Sequence, residues 1–125
     1  MARQEPRAVL DEAAIHPSVR GKVAEHERAT VDAAVQAVAT HPVVVFGMAA
    51  NPFVKRARRA LDAAGFAHHD IDHGGYTSQW RRRNALKMWC GWPTFPIVFV
   101  KGQLVGGAED VQRLIDSGEL KRLLA

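Results

Sequence analysis

The stretch AANPFV at 49–54 follows the apolar run VVVF at 43–46, so a strand is expected to lead directly into a helix. Asn51 is a good N-cap residue, and Pro52 suits the first position of a helix. The first N–H groups of a helix and its dipole stabilise an anion, which is why chemistry is often found at such junctions. Here the capping residue is a neutral carboxamide, so the junction offers no ionisable group.

Cys90 is the single cysteine of the 125-residue chain, which therefore forms no internal disulfide and no CxxC redox pair. It lies at the C-terminal end of a predicted helix, where the dipole raises the pKa of a thiol. Cysteine is also among the residue types most often buried, so we expect a structural role. A reactive Cys90, with Lys87 opposing the dipole, is the alternative.

The segment HHDIDH at 68–73 is the other concentration of potential ligands. On a strand, His68, Asp70 and Asp72 point to one face, and the intervening side chains point to the other. Neither face combines two histidines with a carboxylate, which a convincing metal site would need. The pattern favours an edge strand with Ile71 directed inward, and it predicts no metal site.

The elements that must position these residues follow the order α-β-α-β-α-β-β-α from residue 30. Thr30 is a candidate N-cap of the first helix, and the continuous apolar run at 43–46 suits a strand covered on both faces. Further helices are predicted at 52–65 and from about Ser78 to Trp89, with strands at 66–72, 96–100 and 104–105.

The connections between these elements predict an α/β fold with a four-stranded mixed sheet flanked by helices. Strand–helix–strand units require parallel pairing, and the short KGQ connection between the last two strands makes an antiparallel hairpin. Residues 1–29 are predicted to be an N-terminal helical extension, and residues 30–125 the main domain.

Charge and hydropathy limit the classes of partner that the chain is expected to bind. The formal net charge is +4, with arginines concentrated in KRARR at 55–59 and RRR at 81–83. Nucleic-acid binding would need an accompanying motif, so solvated helix faces or a small anionic ligand are favoured. There is no apolar run of roughly 20 residues and no apolar leader, so we expect a cytoplasmic protein with no membrane partner.

Several segments together resemble a glutaredoxin over residues 30–124. They are the strand–loop–helix with proline in its first turn, WPTFP at 92–96 before the hairpin, the GG pair after it, and the closing IDSGELKRLL. The stretch WPTFPIVFVKGQLVGG at 92–107 is especially similar to monothiol glutaredoxins. The resemblance implies the thioredoxin fold.

The resemblance breaks at the junction. A dithiol glutaredoxin carries Cys-Pro-Tyr-Cys there, whereas this chain has the degenerate set Asn51, Pro52, Phe53 and Val54. Met48 stands where the family usually has a lysine. Thiol–disulfide exchange and the monothiol family's bridging iron–sulfur cluster both need a thiolate at the position of Asn51. Neither is therefore expected, and no residue is assigned as catalytic apart from Cys90 as a minority candidate.

The resemblance also implies a glutathione-binding set. Phe95 would present its backbone to the cysteinyl part of glutathione, before a Pro96 that the family has in the cis form. The predicted binding residues are Arg83 for the glycine carboxylate, Thr94, Phe95 and Pro96 for the middle, and Gly107, Ala108 and Glu109 for the γ-glutamyl end.

These residues predict a binding module for glutathione or a thiol-containing peptide or protein, linked to redox homeostasis. An atypical glutathione-dependent oxidoreductase that uses Cys90 or bound glutathione is the alternative enzyme hypothesis. A nucleic-acid or acidic-partner binder is a third. Residues 1–29 leave two roles open, which are support of a homodimer and capping of the sheet.

Overall fold

The computed structural model describes residues 5–125, and its sheet is built around Val43–Gly47 (β1), every residue of which is buried. β1 pairs in parallel with His69–Asp72 (β2) and antiparallel with Ile97–Val100 (β3). β3 pairs antiparallel with Gln103–Gly106 (β4). The strand order is β2-β1-β3-β4, so the predicted four-stranded mixed sheet is confirmed.

Six α-helices surround the sheet within the described residues, after a single 3-10 turn at Glu12–Ala14. They are Pro17–Glu25 (α1), Arg28–Thr40 (α2), Pro52–Ala63 (α3), Trp80–Cys90 (α4), Ala108–Asp116 (α5) and Glu119–Leu124 (α6). No helix in residues 5–125 combines the length and the apolarity needed to cross a membrane.

Alternate side chains of β1 enter two separate cores, one on each face of the sheet. Val44 and Phe46 pack in a cluster with alanines of α2 and with Leu86 of α4. Val43 and Val45 pack on the opposite face in a cluster with residues of α3, α5 and α6. Burial on both faces explains the uninterrupted apolar run, and it fixes the point at which β1 ends and the chain leads into α3.

The first helical region is two helices, and the second begins earlier than predicted. Glu27 adopts a left-handed backbone with φ 47°, which separates α1 from α2. α2 starts at Arg28, so the prediction that Thr30 is its N-cap is wrong. Thr30 is buried inside the helix. The predicted boundary between residues 29 and 30 falls within α2, and residues 1–4 of the predicted extension lie outside the described range.

Two other elements begin later than predicted. Gln79 has a left-handed φ of 55°, so α4 starts at Trp80 instead of Ser78. β2 starts at His69 instead of residue 66 because the N–H of Phe66 donates to the carbonyl of Leu61 at 2.9 Å. That hydrogen bond keeps residue 66 in the turn that closes α3.

Candidate functional site

The junction, which we define as Asn51–Val54, is a capped helix start. The Asn51 Oδ1 accepts hydrogen bonds from the N–H groups of Phe53 at 2.9 Å and Val54 at 3.1 Å. Asn51 is only 8% exposed, and Pro52 follows it in the first turn. The predicted cap is confirmed. Its consequence is that the first donors of α3 already have a neutral acceptor.

The loop that precedes the junction is fixed by backbone hydrogen bonds. The N–H of Ala49 donates to the carbonyl of Gly74 at 2.7 Å, and the N–H of His73 donates to the carbonyl of Gly47 at 3.1 Å. Met48 is 7% exposed and belongs to the core. The side chain at this position is therefore apolar and directed away from solvent.

Phe53 presents an exposed ring from the first turn of α3, and a cation covers it. The guanidinium of Arg56 lies 5.6 Å from the centre of the ring. The Arg56 Nη2 is also 3.8 Å from the Glu109 Oε1 of α5. The ring and the ion pair thus lie where α3 approaches the start of α5.

The opposite side of the site, which we call the wall, consists of residues 94–96 and 107–109. Phe95 and Pro96 are joined by a cis peptide bond, as the resemblance implies, and both residues are buried. The chain then runs through β3 and β4 to Gly107, whose N–H donates to the Asp110 Oδ2 at 2.9 Å. This side-chain contact closes the start of α5 and places Ala108 at its first helical position.

A cleft of about 290 Å³ separates the wall from Phe53. Six of the seven predicted glutathione-binding residues line it, although they come from two stretches of sequence. Trp92 also lines it and was not predicted as a site residue. Its proximity in sequence to Thr94 was the available signal. The complete lining is Phe53, Trp92, Thr94, Phe95, Pro96, Gly107, Ala108, Glu109 and Asp110.

Arg83 is the predicted binding residue that does not line the cleft. Its side chain is buried, and its Nη1 donates to the carbonyls of His73 at 2.8 Å and Ser78 at 2.5 Å. It therefore holds together the two ends of the loop between β2 and α4. Burial lowers the pKa of His73, and the neighbouring Arg82 and Arg83 lower it further.

Cys90 is a half-buried thiol at the end of α4 and does not line the cleft. Burial raises the pKa of this thiol, in the direction expected from the sequence. The N–H of Trp92 donates to the Cys90 Sγ at 3.5 Å. A raised pKa leaves the thiol largely protonated at neutral pH, which disfavours it as a nucleophile.

The HHDIDH segment forms an edge strand with Ile71 packed against the core, as predicted. Arg58 of α3 pairs with the carboxylates of Asp70 at 3.2 Å and Asp72 at 2.7 Å. His68 lies between Asp62 at 2.8 Å and Asp70 at 2.7 Å. These contacts attach β2 to α3 and involve no residue of the cleft.

Comparisons with known proteins agree with this architecture. A family model described as glutaredoxin matches residues 43–105. A glutaredoxin-like protein of Dictyostelium discoideum is 38% identical over 85 residues, which are 68% of this chain and 69% of the relative. The chloroplastic glutaredoxin-C4 of Oryza sativa subsp. japonica is 33% identical over 94 residues, or 75% of this chain and 71% of the relative.

Solved structures show the same fold. The crystal structure of a buckwheat glutaredoxin–glutathione complex matches with a TM-score of 0.71 and 27% identity, covering 80% of this chain and 91% of that chain. The match confirms a thioredoxin/glutaredoxin fold, with the four-stranded mixed sheet between its helices. A family model over half of the chain and relatives at 38% and 33% identity over more than two thirds of it show that the chain belongs to the glutaredoxin family.

Proposed function

We propose that the cleft binds glutathione or a related thiol-containing peptide, and that the chain serves as a binding module linked to redox homeostasis. The observation that carries this proposal is that six predicted ligand contacts, from residues 94–96 and 107–109, line one cleft. The volume of about 290 Å³ suits a small peptide rather than a large cofactor. The buckwheat glutaredoxin with glutathione bound supports the choice of ligand.

The middle of the ligand would pair with the main chain of Phe95. Within residues 5–125, neither the N–H nor the carbonyl of Phe95 makes a hydrogen bond to another main-chain group. Unpaired main-chain groups beside a cleft are suited to an extended peptide, which they bind as an additional strand would be bound. This contact is insensitive to the ligand's side chain, so it fits glutathione and other short thiol peptides alike.

The γ-glutamyl end of the ligand would lie against the start of α5. The N-terminus of this helix favours a carboxylate, and Ala108 is its first residue. Glu109 lines the same end of the cleft and is exposed, so its carboxylate is available to the ligand's amino group. A ligand with both charges at one end therefore finds a complement for each.

Thiol–disulfide exchange at the junction is not part of the proposed function. A carboxamide such as that of Asn51 cannot attack a disulfide, and the junction supplies no thiolate for a cluster iron. We therefore propose that no iron–sulfur cluster is held there. Cys90, the thiol of the alternative enzyme hypothesis, lies outside the cleft lining and has a raised pKa.

Calorimetric titration with reduced glutathione tests the proposal. We expect saturable binding by the natural chain and loss of that binding in Gly107→Val, whose added side chain would project beside Trp92 and Pro96 into the cleft. Gly21→Val is the matched control, because Gly21 lies in α1 with open space around its Cβ position. No heat with millimolar glutathione would contradict the proposal.

An exchange assay separates the binding module from the enzyme hypothesis. We expect no glutathione-coupled reduction of a mixed disulfide above the uncatalysed rate. Robust turnover that Cys90→Ser abolishes would instead favour an oxidoreductase that depends on Cys90.

A further inference from the structure

The helix α1 contributes no side chain to either core. Each of its nine residues is exposed, and neither hydrophobic cluster includes one of them. A helix this short is only marginally stable in water, because most helical stability in proteins comes from packing one face of the helix against other elements. α1 would therefore gain stability from an apolar surface that covers it.

A groove of about 600 Å³ runs between α1, α2 and α4, and apolar side chains from all three helices line it. We call it the helical groove. Val23 of α1 is 53% exposed, Val35 of α2 is 47% exposed, and Met88 of α4 is 67% exposed. Val19, also exposed, precedes Val23 by four residues and so lies on the same face of α1. Several large apolar side chains exposed along one groove indicate a surface that another molecule covers.

The charges on this surface balance, unlike those of the whole chain. α1 and the lining of the helical groove carry three acidic side chains, Glu12, Glu25 and Asp32, and three basic ones, Arg20, Lys22 and Arg28. The chain as a whole has a formal net charge of +4. A two-fold axis places a surface against itself, so a surface with charges of one sign would repel its own copy. A surface with both signs in equal number avoids that repulsion, and it has no excess charge to attract a strongly acidic or basic partner.

From these features we propose that two copies of the chain form a symmetric dimer through α1 and the helical groove. Under two-fold symmetry, the apolar face of α1 in each copy packs against Val35 and Met88 of the other. Each copy thus supplies both a helix that lacks packing and a groove that can receive one. This reciprocity favours a second copy over an unrelated protein, because one interface covers the apolar surfaces of both chains.

The dimer leaves the cleft open to its ligand. Among residues 5–125, none lines both the helical groove and the cleft. Dimerisation and glutathione binding are therefore separate properties, and either can fail without the other.

Sedimentation equilibrium of the full chain tests the dimer, with a thiol reductant present so that no disulfide forms between Cys90 side chains. At micromolar concentration we expect a mass of twice the 13.7 kDa of one chain. Met88→Glu should raise the dissociation constant of the dimer about a hundredfold, because dimerisation would bury an unpaired carboxylate. Met88 is exposed in the single chain, so the substitution should leave the fold and glutathione binding unchanged.

Tyr76→Glu is the matched control. Tyr76 is 67% exposed, as Met88 is, but it lies in the loop before α4 and does not line the helical groove. This variant should dimerise as the natural chain does. An equal loss of dimer in both variants would mean that added negative charge matters and its position does not, which would overturn the assignment of the helical groove.

Hydrogen exchange locates the interface without a substitution. The N–H groups of α1 should exchange more slowly at concentrations where the dimer forms than after dilution to the monomer. Those of α6, which packs on the opposite face of the sheet, should not change. A dimer in which exchange from α1 is independent of concentration would overturn α1 as part of the interface. A chain that stays monomeric at millimolar concentration would overturn the dimer itself and leave the helical groove to a different protein.

Discussion

The two sides of the cleft differ in how much they depend on side-chain identity. The wall presents main-chain groups at Phe95 and at the start of α5, and at Gly107 the main chain itself lines the cleft. The junction offers one side chain at the critical position, and there Asn51 supplies a cap in place of an ionisable group. Recognition by main-chain atoms survives many substitutions, whereas nucleophilic chemistry depends on a single atom.

This difference explains how binding and chemistry can separate within one fold. The shape of the wall is set by backbone geometry, including the left-handed φ of Gly106 and the Asp110 contact that closes α5. The junction retains the geometry of a helix start because an asparagine caps as well as any residue. A chain can therefore retain the cleft while the reactive group is absent.

Asn51→Cys, made together with Cys90→Ser, should have the largest effect because it changes the kind of chemistry available. The new thiol would lie at the N-terminus of α3, beside the two N–H groups from which the Asn51 side chain now accepts hydrogen bonds. Those donors stabilise a thiolate, so the pKa of the thiol should fall below the ordinary value of about 8.5. The pH dependence of alkylation by iodoacetamide measures that pKa, and a glutathione-coupled assay should detect exchange.

Asn51→Ser with Cys90→Ser is the control for this change, since serine also caps a helix but forms no thiolate. It should show neither alkylation nor exchange. A thiol at residue 51 with a pKa near 8.5 would count against the junction as a site where the helix N-terminus acts on a side chain.

Gly106→Ala should weaken the wall without touching the junction. Gly106 has a φ of 110°, and a Cβ placed there would lie 2.6 Å from the Asp110 Oδ2. We expect a loss of about 1–3 kcal/mol in the free energy of unfolding, measured in urea, together with weaker binding of glutathione. Gly65→Ala separates the two causes, because Gly65 has a φ of 81° with nothing within 4 Å of its Cβ position. Equal losses in both variants would mean that the contact with Asp110 is unimportant.

Much of the cleft could be predicted because its residues lie in two short segments, WPTFP and the GG pair with the residues after it, that resemble the same segments of glutaredoxins. The cap at Asn51 follows from residue type and position, and the GG pair followed by an acidic segment marks the start of α5. The cis bond before Pro96 was implied by resemblance alone, since nothing local in the sequence specifies it.

The role of Arg83 was predicted less well because its environment depends on main-chain atoms that are distant in sequence. Which member of the RRR segment turns inward depends on where α4 begins, and the left-handed Gln79 sets that start. The carbonyls of His73 and Ser78 that hold the side chain belong to a loop whose path is fixed by Gly47 and Ala49. A periodic pattern predicts that a helix forms, but it does not predict which of its side chains faces such a loop.

The smallest expected effect is at His68, away from the cleft. It tests whether the edge of the sheet can change without changing the cleft. Burial lowers the pKa of His68, but hydrogen bonds and charge interactions with Asp70 and Asp62 outweigh it, so the pKa is raised above the usual 6.5. Protonated His68 therefore stabilises the folded chain fully below pH 6.5, and this contribution is lost as the pH rises through the folded-state pKa. The difference in free energy of unfolding between the natural chain and His68→Gln should thus shrink as the pH rises above 6.5. Urea unfolding at several pH values measures it.

Asp62→Asn, which removes one acceptor, should reduce the same pH dependence, and glutathione binding should be unchanged in both variants. A difference that grows with pH would reverse the sign of the histidine's contribution, and altered binding would connect the two regions.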